Sequence, residues 1–447
     1  MSLLKHHPHK TTHAAQVQPS RTTTTTTTTA PAYSSSARPS VFSSSSYYSL
    51  PQHHHGRRRQ HHLRLAFTNM LHSLEAFFHA LLDALTALLA WVSELLWPSA
   101  VALDGGRRVR IKKQLAEGSF GYVYLAQDAH TGEVYALKKM LCQTHEQLEA
   151  VKREIGYHRE LQHPNLLPLI DSRVQQQHPV PSSSTGIYAF LLFPYMPGDS
   201  LRDEIDKKIL RPLATTGTMG TWPEAALLRL FRQTLLGVHA LHEHKPALAH
   251  RDIKPENVLL KSDGLTPVLI DFGSMMPADQ RVGNRSEALL IQEDAAQNST
   301  ITYRAPELFD VSSDACLDAK VDVWALGCLL FALMFGYSPF EVEFSEGGRE
   351  GGRPRVVECT FLRVIGKVPW PVRHGYTEGL VGMVGWILQQ DPEKRPGVGE
   401  VLARVEGLLA AFEFEAEGGW EGGREGGREG KGGVVEMAPL TGGEGWR

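Results

Sequence analysis

Residues 1 to 74 contain no aspartate or glutamate, and the whole chain of 447 residues has only four cysteines. Cys142, Cys316, Cys328 and Cys359 lie far apart, with no paired ligand spacing. That excludes a disulfide framework and a clustered zinc site, and reads as reduced thiols in a cytosolic compartment. A surplus of positive charge is also lacking: net charge is −3 and the pI is near 6.7, so no overall basic field argues for nucleic acid. Apolar residues at 42% can build a large core, and the length allows two or three domains.

The acid-free stretch 1–62 is Ser, Thr, His, Arg and Pro, with eight consecutive threonines from Thr22 to Thr29. Such a segment cannot bury enough apolar surface to offset chain entropy, and is expected to be disordered. Organelle transit peptides share the lack of acids but are amphipathic and Arg-rich, so import is the minority alternative. Residues 63–98 differ: Leu71, Leu74, Phe78, Leu81, Leu82 and Leu85 open an apolar run that continues through Leu88, Leu89 and Leu96, with a narrow polar stripe, to Pro98. Asp83 inside hydrocarbon would cost about 2.5–3.5 kcal/mol, which favours an embedded or docked helix over a spanning one. Arg57, Arg58, Arg59 and Arg64 suit anionic headgroups, so residues 57–97 are a candidate membrane contact, and equally a face that packs on protein.

The chemistry-bearing stretch is His250-Arg251-Asp252-Ile253-Lys254-Pro255-Glu256-Asn257, followed by Asp271-Phe272-Gly273. Asp252 can accept a hydroxyl proton, Lys254 suits phosphate, and Asn257 with Asp271 suits Mg2+. Upstream, Ala116, Gly118, Gly121 and Val123 lie in a glycine-containing turn between two alternating apolar runs, the form of a loop over nucleotide phosphates. Ala136 and Lys138 share one face of the next predicted strand, which selects Lys138 over Lys139 as the phosphate lysine. Glu154, on a predicted helix from Glu146 to Leu161, is its expected partner, with Glu149 and Glu160 as alternatives.

These motifs resemble, in order, those of the protein kinases, and Arg304-Ala305-Pro306-Glu307, Asp322-Val323-Trp324-Ala325-Leu326-Gly327 and Arg395 extend the likeness over about 107–410. The resemblance implies an α+β fold of two lobes, a small β-rich one to about 195 and a larger helical one, with ATP between them. It places the hinge at Pro194 and Met196, the anchor of the catalytic loop on the helix of Asp322, and Arg395 against Glu307. Asp271-Phe272-Gly273-Ser274-Met275, Thr302 to Phe309 and a helical stretch from Glu287 to Gln297 are similar to the Numb-associated group of serine/threonine kinases. That implies Ser/Thr protein substrates, autophosphorylation, and a constitutively active enzyme at Golgi or other secretory membranes. Members of that group carry an N-terminal glycine and nearby cysteines for lipidation; Ser2 and the absence of cysteine before Cys142 depart from this.

Ser286, Ser299, Thr300 and Thr302 are candidate phosphate acceptors in the activation segment, with Arg251 as a phosphate partner. The Gly/Arg/Glu tract 347–353 is expected to be a surface insertion, and 411–447 a disordered tail. Glutamates interleaved in both argue against RNA. A catalytically inactive kinase fold serving as a membrane scaffold is the competing reading, although no base, metal or phosphate residue is missing.

Overall fold

The computed structural model describes residues 100–118, 121–176, 186–344 and 354–418, and helical residues 74, 77–82 and 84–86. The tract 1–62, the insertion 347–353 and the end of the tail from 419 lie outside the described residues. The chain divides into two units, essentially 2–99 and 100–447.

In the first unit the described residues are helical, as the apolar periodicity predicts, and the Thr86 hydroxyl donates to the Leu82 carbonyl one turn back at 3.0 Å. Phe77, Phe78, Leu81 and Leu82 are all more than half exposed. Among the described residues no helix is long and apolar enough to cross a membrane.

The second unit begins with an antiparallel sheet in the order β1-β2-β3-β4-β6-β5. Its strands are β1 (Ala100–Ala102), β2 (Arg108–Gly118), β3 (Gly121–Asp128), β4 (Val134–Cys142), β5 (Asp171–Gln176) and β6 (Ile187–Pro194). Strand β1 lies ahead of the expected domain start near 107: Ala100 pairs with Arg110, and Leu103 joins a small core with Val109, Ala126 and Leu137. A three-residue strand carries too little periodicity to be read without its partner. Helix α1 (His145–Glu160) starts at a capping box in which Thr144 and Gln147 satisfy each other's backbone N–H groups. Its Val151 and Ile155 pack on the sheet with Leu191 and Phe193, which orients Glu154, on the same side of the helix, inward.

The remaining helices are α2 (Leu201–Ile205), α3 (Arg211–Thr216), α4 (Glu224–His242), α5 (Arg285–Asn298), α6 (Lys320–Phe335), α7 (Phe361–Val364), α8 (Glu378–Ile387) and α9 (Val398–Gly418). In α6 every residue from Val321 to Phe335 is buried, as expected for a helix that is apolar all round. It is the axis of the helical lobe, and α4, flanked by α9, packs beside it. Helix α9 continues to Gly418, past the expected domain end at about 410. Leu409 is buried, and Leu408 and Phe412 pack against the same core, so tertiary contact extends the helix.

Candidate active site

The site is built outward from α6. The Asp322 carboxylate, fully buried, accepts the backbone N–H of His250 at 2.7 Å and of Arg251 at 2.8 Å, and bonds His242 Nε2 at 3.0 Å. Burial alone would discharge it, but the His242 bond and the backbone donors hold its pKa below the ordinary carboxylate value. This grip lets Arg251 sit at φ +70°, in a region that non-glycine residues seldom occupy.

Asp252 follows directly. Its Oδ2 accepts Lys254 Nζ at 2.8 Å and Asn257 Nδ2 at 2.9 Å; its Oδ1 accepts the Thr300 N–H at 3.0 Å and hydroxyl at 2.7 Å. Lys254 Nζ also donates to the Thr300 hydroxyl at 2.7 Å. Asp252, Lys254 and Thr300 therefore form one closed set. Short strands β7 (Val258–Leu260) and β8 (Pro267–Leu269) pair behind it, and the Ile270 N–H donates to the Asn257 carbonyl, tying Asn257 to the strand that leads into Asp271.

Lys138 Nζ reaches Glu154 Oε1 at 2.8 Å and Asp271 Oδ1 at 2.9 Å, which selects Glu154. The alternatives are engaged elsewhere: Glu149 with Lys152, and Glu160 with His244. Lys139 lies instead over the Tyr188 ring, on the other face of the strand. Burial opposes the charge on Lys138, yet the two carboxylates outweigh it and hold the ammonium above the ordinary lysine value. Burial pushes Asp271 up, but Lys138 prevails and lowers it, while Glu154 is raised by burial and by the neighbouring Asp271. Asp271 also has positive φ, +64°, and Phe272 beside it stacks on His158 at 4.2 Å and meets His250 edge-on at 5.9 Å.

The nucleotide-side residues line up along the sheet. Val123 is opposite Lys138, which is opposite Leu191; Ala136 is opposite Phe193. Ala116 pairs with Val123, and Gly118 with Gly121, across the turn. Gly121 has a reason other than phosphate approach: at φ +142° a Cβ would lie 2.2 Å from the Lys139 carbonyl oxygen, whereas at Gly118 a Cβ would meet only an ordinary contact, 3.8 Å from the Gly121 carbonyl oxygen. At the end of β6, Pro194 pairs with Tyr135, and among the described residues the Met196 N–H and carbonyl have no hydrogen-bond partner. A cavity of about 450 Å³ between Met334, Arg373 and the Thr218 loop lies away from this constellation.

Magnesium fits the donor set. Asn257 spends its amide N–H groups on Asp252, at the carbonyl (2.8 Å) and the carboxylate, which leaves its amide oxygen available beside a carboxylate of Asp271 that Lys138 engages through one oxygen. No cluster of three or more His, Cys, Asp or Glu exists among the described residues. A cation that takes only one or two protein ligands and completes its shell with phosphate and water needs none.

The activation segment differs from expectation. Arg251 is not a vacant phosphate partner: its Nη1 is 2.5 Å from Asp294 Oδ2 on α5. Ser299 donates to the Ala295 carbonyl and accepts from Arg304, and Thr300 belongs to the Asp252 set, so both hydroxyls are engaged within the fold. Thr300, Asp294 and His158 were not legible as site residues, because only the folded chain brings them to Asp252, Arg251 and Phe272. Arg395 meets Glu307 through two bonds, at 2.7 and 3.0 Å, as expected.

A carboxylate aimed by a buried anchor, a lysine and a hydroxyl closing its other side, and a second lysine bridging two acids across a cleft define a phosphoryl-transfer site. The chain belongs to the protein kinase family: residues 109–405 match the protein kinase domain. It is similar to serine/threonine-protein kinase 16 of Mus musculus, 35% identical over 69% of this chain and 92% of the relative. Serine/threonine-protein kinase ppk13 of Schizosaccharomyces pombe is 30% identical over 72% of this chain and 97% of its own. Serine/threonine-protein kinase ENV7 of Saccharomyces cerevisiae is 31% identical over 68% and 92%. The protein is a Ser/Thr protein kinase, and its domain implies ATP as phosphate donor.

Proposed function

We propose that the protein transfers the γ-phosphate of Mg-ATP to serine and threonine hydroxyls of other proteins and of itself, at secretory or other endomembranes. The observation that carries the chemistry is the closed set of Asp252, Lys254 and Thr300 facing Lys138, Glu154 and Asp271. An acceptor hydroxyl gives its proton to the Asp252 carboxylate as its oxygen bonds the γ-phosphorus and the bond from that phosphorus to the β–γ bridging oxygen breaks. Lys254 stabilises the charge developing on the transferred group, and Lys138 holds the α- and β-phosphates. Mg2+, held by Asn257 and Asp271, neutralises phosphate charge when bound.

Membrane action is supported by the exposed apolar side chains of residues 74–85 and the upstream arginines. The chemistry is tested by incubating purified protein with Mg-ATP and a Ser/Thr peptide, reading peptide turnover and the intact mass of the protein. Asp252→Asn is expected to lower turnover by about 10²–10⁴-fold and to stop autophosphorylation. Lys138→Met is expected to act likewise. Undiminished transfer by a folded Asp252→Asn protein refutes the base.

A further inference from the structure

We propose that Asp294 is a positioning residue: its carboxylate holds Arg251, and through it the catalytic loop, where another kinase would need a phosphate on its activation segment. The proposal rests on the phosphoryl-transfer reading and adds how this site is kept assembled. Arg251 immediately precedes Asp252, and its side chain is only 6% exposed. A cation so enclosed is unfavourable without a counter-charge, and Asp294 supplies one from the sequence itself. The same carboxylate accepts Asn298 Nδ2 at 2.8 Å one turn along α5, and the Asn298 carbonyl accepts the Ser274 hydroxyl at 2.6 Å. Ser274 directly follows Asp271-Phe272-Gly273. One chain of polar contacts thus joins the loop carrying Asp252, the helix of the activation segment, and the segment carrying Asp271.

The surroundings do not suit a phosphate. Beside Asp294, the other group on Arg251 Nη1 is the Met276 thioether, not a cation. Arg304 is near enough to feel the charge of Arg251, but its guanidinium is engaged with the Ser299 hydroxyl and carbonyl and lies over the Phe309 ring. A doubly charged phosphate placed there would meet the Asp294 carboxylate with one neutralised arginine. Three of the four candidate acceptors are also wrongly placed. The Ser299 and Thr300 hydroxyls are bonded inside the site, and exposed Ser286 is eight residues from Asp294, roughly 12 Å along the helix.

The test uses the full chain expressed with a protein phosphatase, so that it is obtained unphosphorylated, and measures kcat and KM for a Ser/Thr peptide and for ATP. Wild type is expected to turn over at a rate that preincubation with Mg-ATP changes by less than about twofold. Asp294→Asn, which keeps size and the Asn298 bond but removes the charge, is expected to lower kcat about tenfold or more, about 1.4 kcal/mol, with the KM for ATP nearly unchanged. Asp294→Glu is expected to recover part of the loss. A merely structural role would not split kcat from the ATP KM or be rescued by restoring charge. Full activity in a folded Asp294→Asn protein overturns the proposal. So does an inactive unphosphorylated wild type that preincubation activates, a comparison that needs no variant to fold. Absence of transfer from both forms of the wild type would instead refute the phosphoryl-transfer reading.

Discussion

Replacing Asp322 by Asn tests whether the catalytic loop is suspended from α6. The two carboxylate oxygens receive three donors, Oδ2 taking the His250 N–H and His242, and Oδ1 taking the Arg251 N–H. Asparagine keeps the shape but turns one oxygen into a donor. With the amide nitrogen at the Oδ1 position, the Arg251 N–H is orphaned; at the Oδ2 position the His250 N–H is, while His242 can change tautomer. Either way one buried N–H loses its partner, about 1–3 kcal/mol, and the surviving bonds lose their charge assistance. The expected total is roughly 2–4 kcal/mol, a fall in Tm of about 3–6 °C for a domain of this size. Because Asp252 is next along the chain, a shift of about 1 Å in the loop would lower kcat by about 10²-fold. The KM for ATP should move little, since Lys138 and Glu154 are held by other elements. Thermal unfolding followed by circular dichroism, together with peptide kinetics, reads both. A variant that melts within about 1 °C of wild type with unchanged kcat would show that the loop is held by something other than this carboxylate.

Burial holds the His158 pKa down to about 4. The folded imidazole is therefore neutral, and its contribution to stability is fully present above the unfolded value near 6.5 and lost as pH falls from there to about 4. Between pH 7 and 5, wild type should lose about 2 kcal/mol more stability than His158→Leu, measured by denaturant unfolding; equal losses would place the titration elsewhere. For membrane attachment, polar replacement of Leu81, Leu85, Leu88 and Leu89 should release the full-length protein from anionic liposomes without altering its peptide kinase activity. High salt should weaken, not abolish, flotation of the wild type, because it screens the arginines and not the apolar face. Failure of the wild type to float, or collapse of the kinase thermal transition on replacing these leucines, would exclude the attachment.

The candidate catalytic residues were legible because phosphoryl transfer demands particular side chains at short, rigid spacings. Asp252, Lys254 and Asn257 lie within a single octamer, and Asp271 follows two short strands later. Strand alternation alone selected Lys138 over Lys139, and the resemblance of Asp322 to Gly327 marked the helix that anchors the catalytic loop. Glu154 was one of four acids on its helix, and only the sheet packed on Val151 and Ile155 decided which one faces Lys138. Two element ends were invisible for the same reason: Ala100–Ala102 is a strand because β2 pairs with it, and α9 reaches Gly418 because Leu409 and Phe412 find the core. Least visible was the state of the activation segment. Arg251, the Ser299 hydroxyl and the Thr300 hydroxyl read as phosphate chemistry in one dimension, because each residue type favours it. Folding pairs Arg251 with an aspartate 43 positions away and Thr300 with a carboxylate 48 positions away. Local sequence specifies which groups can react; long-range hydrogen bonds, formed only when distant elements pack, specify which of them are already engaged.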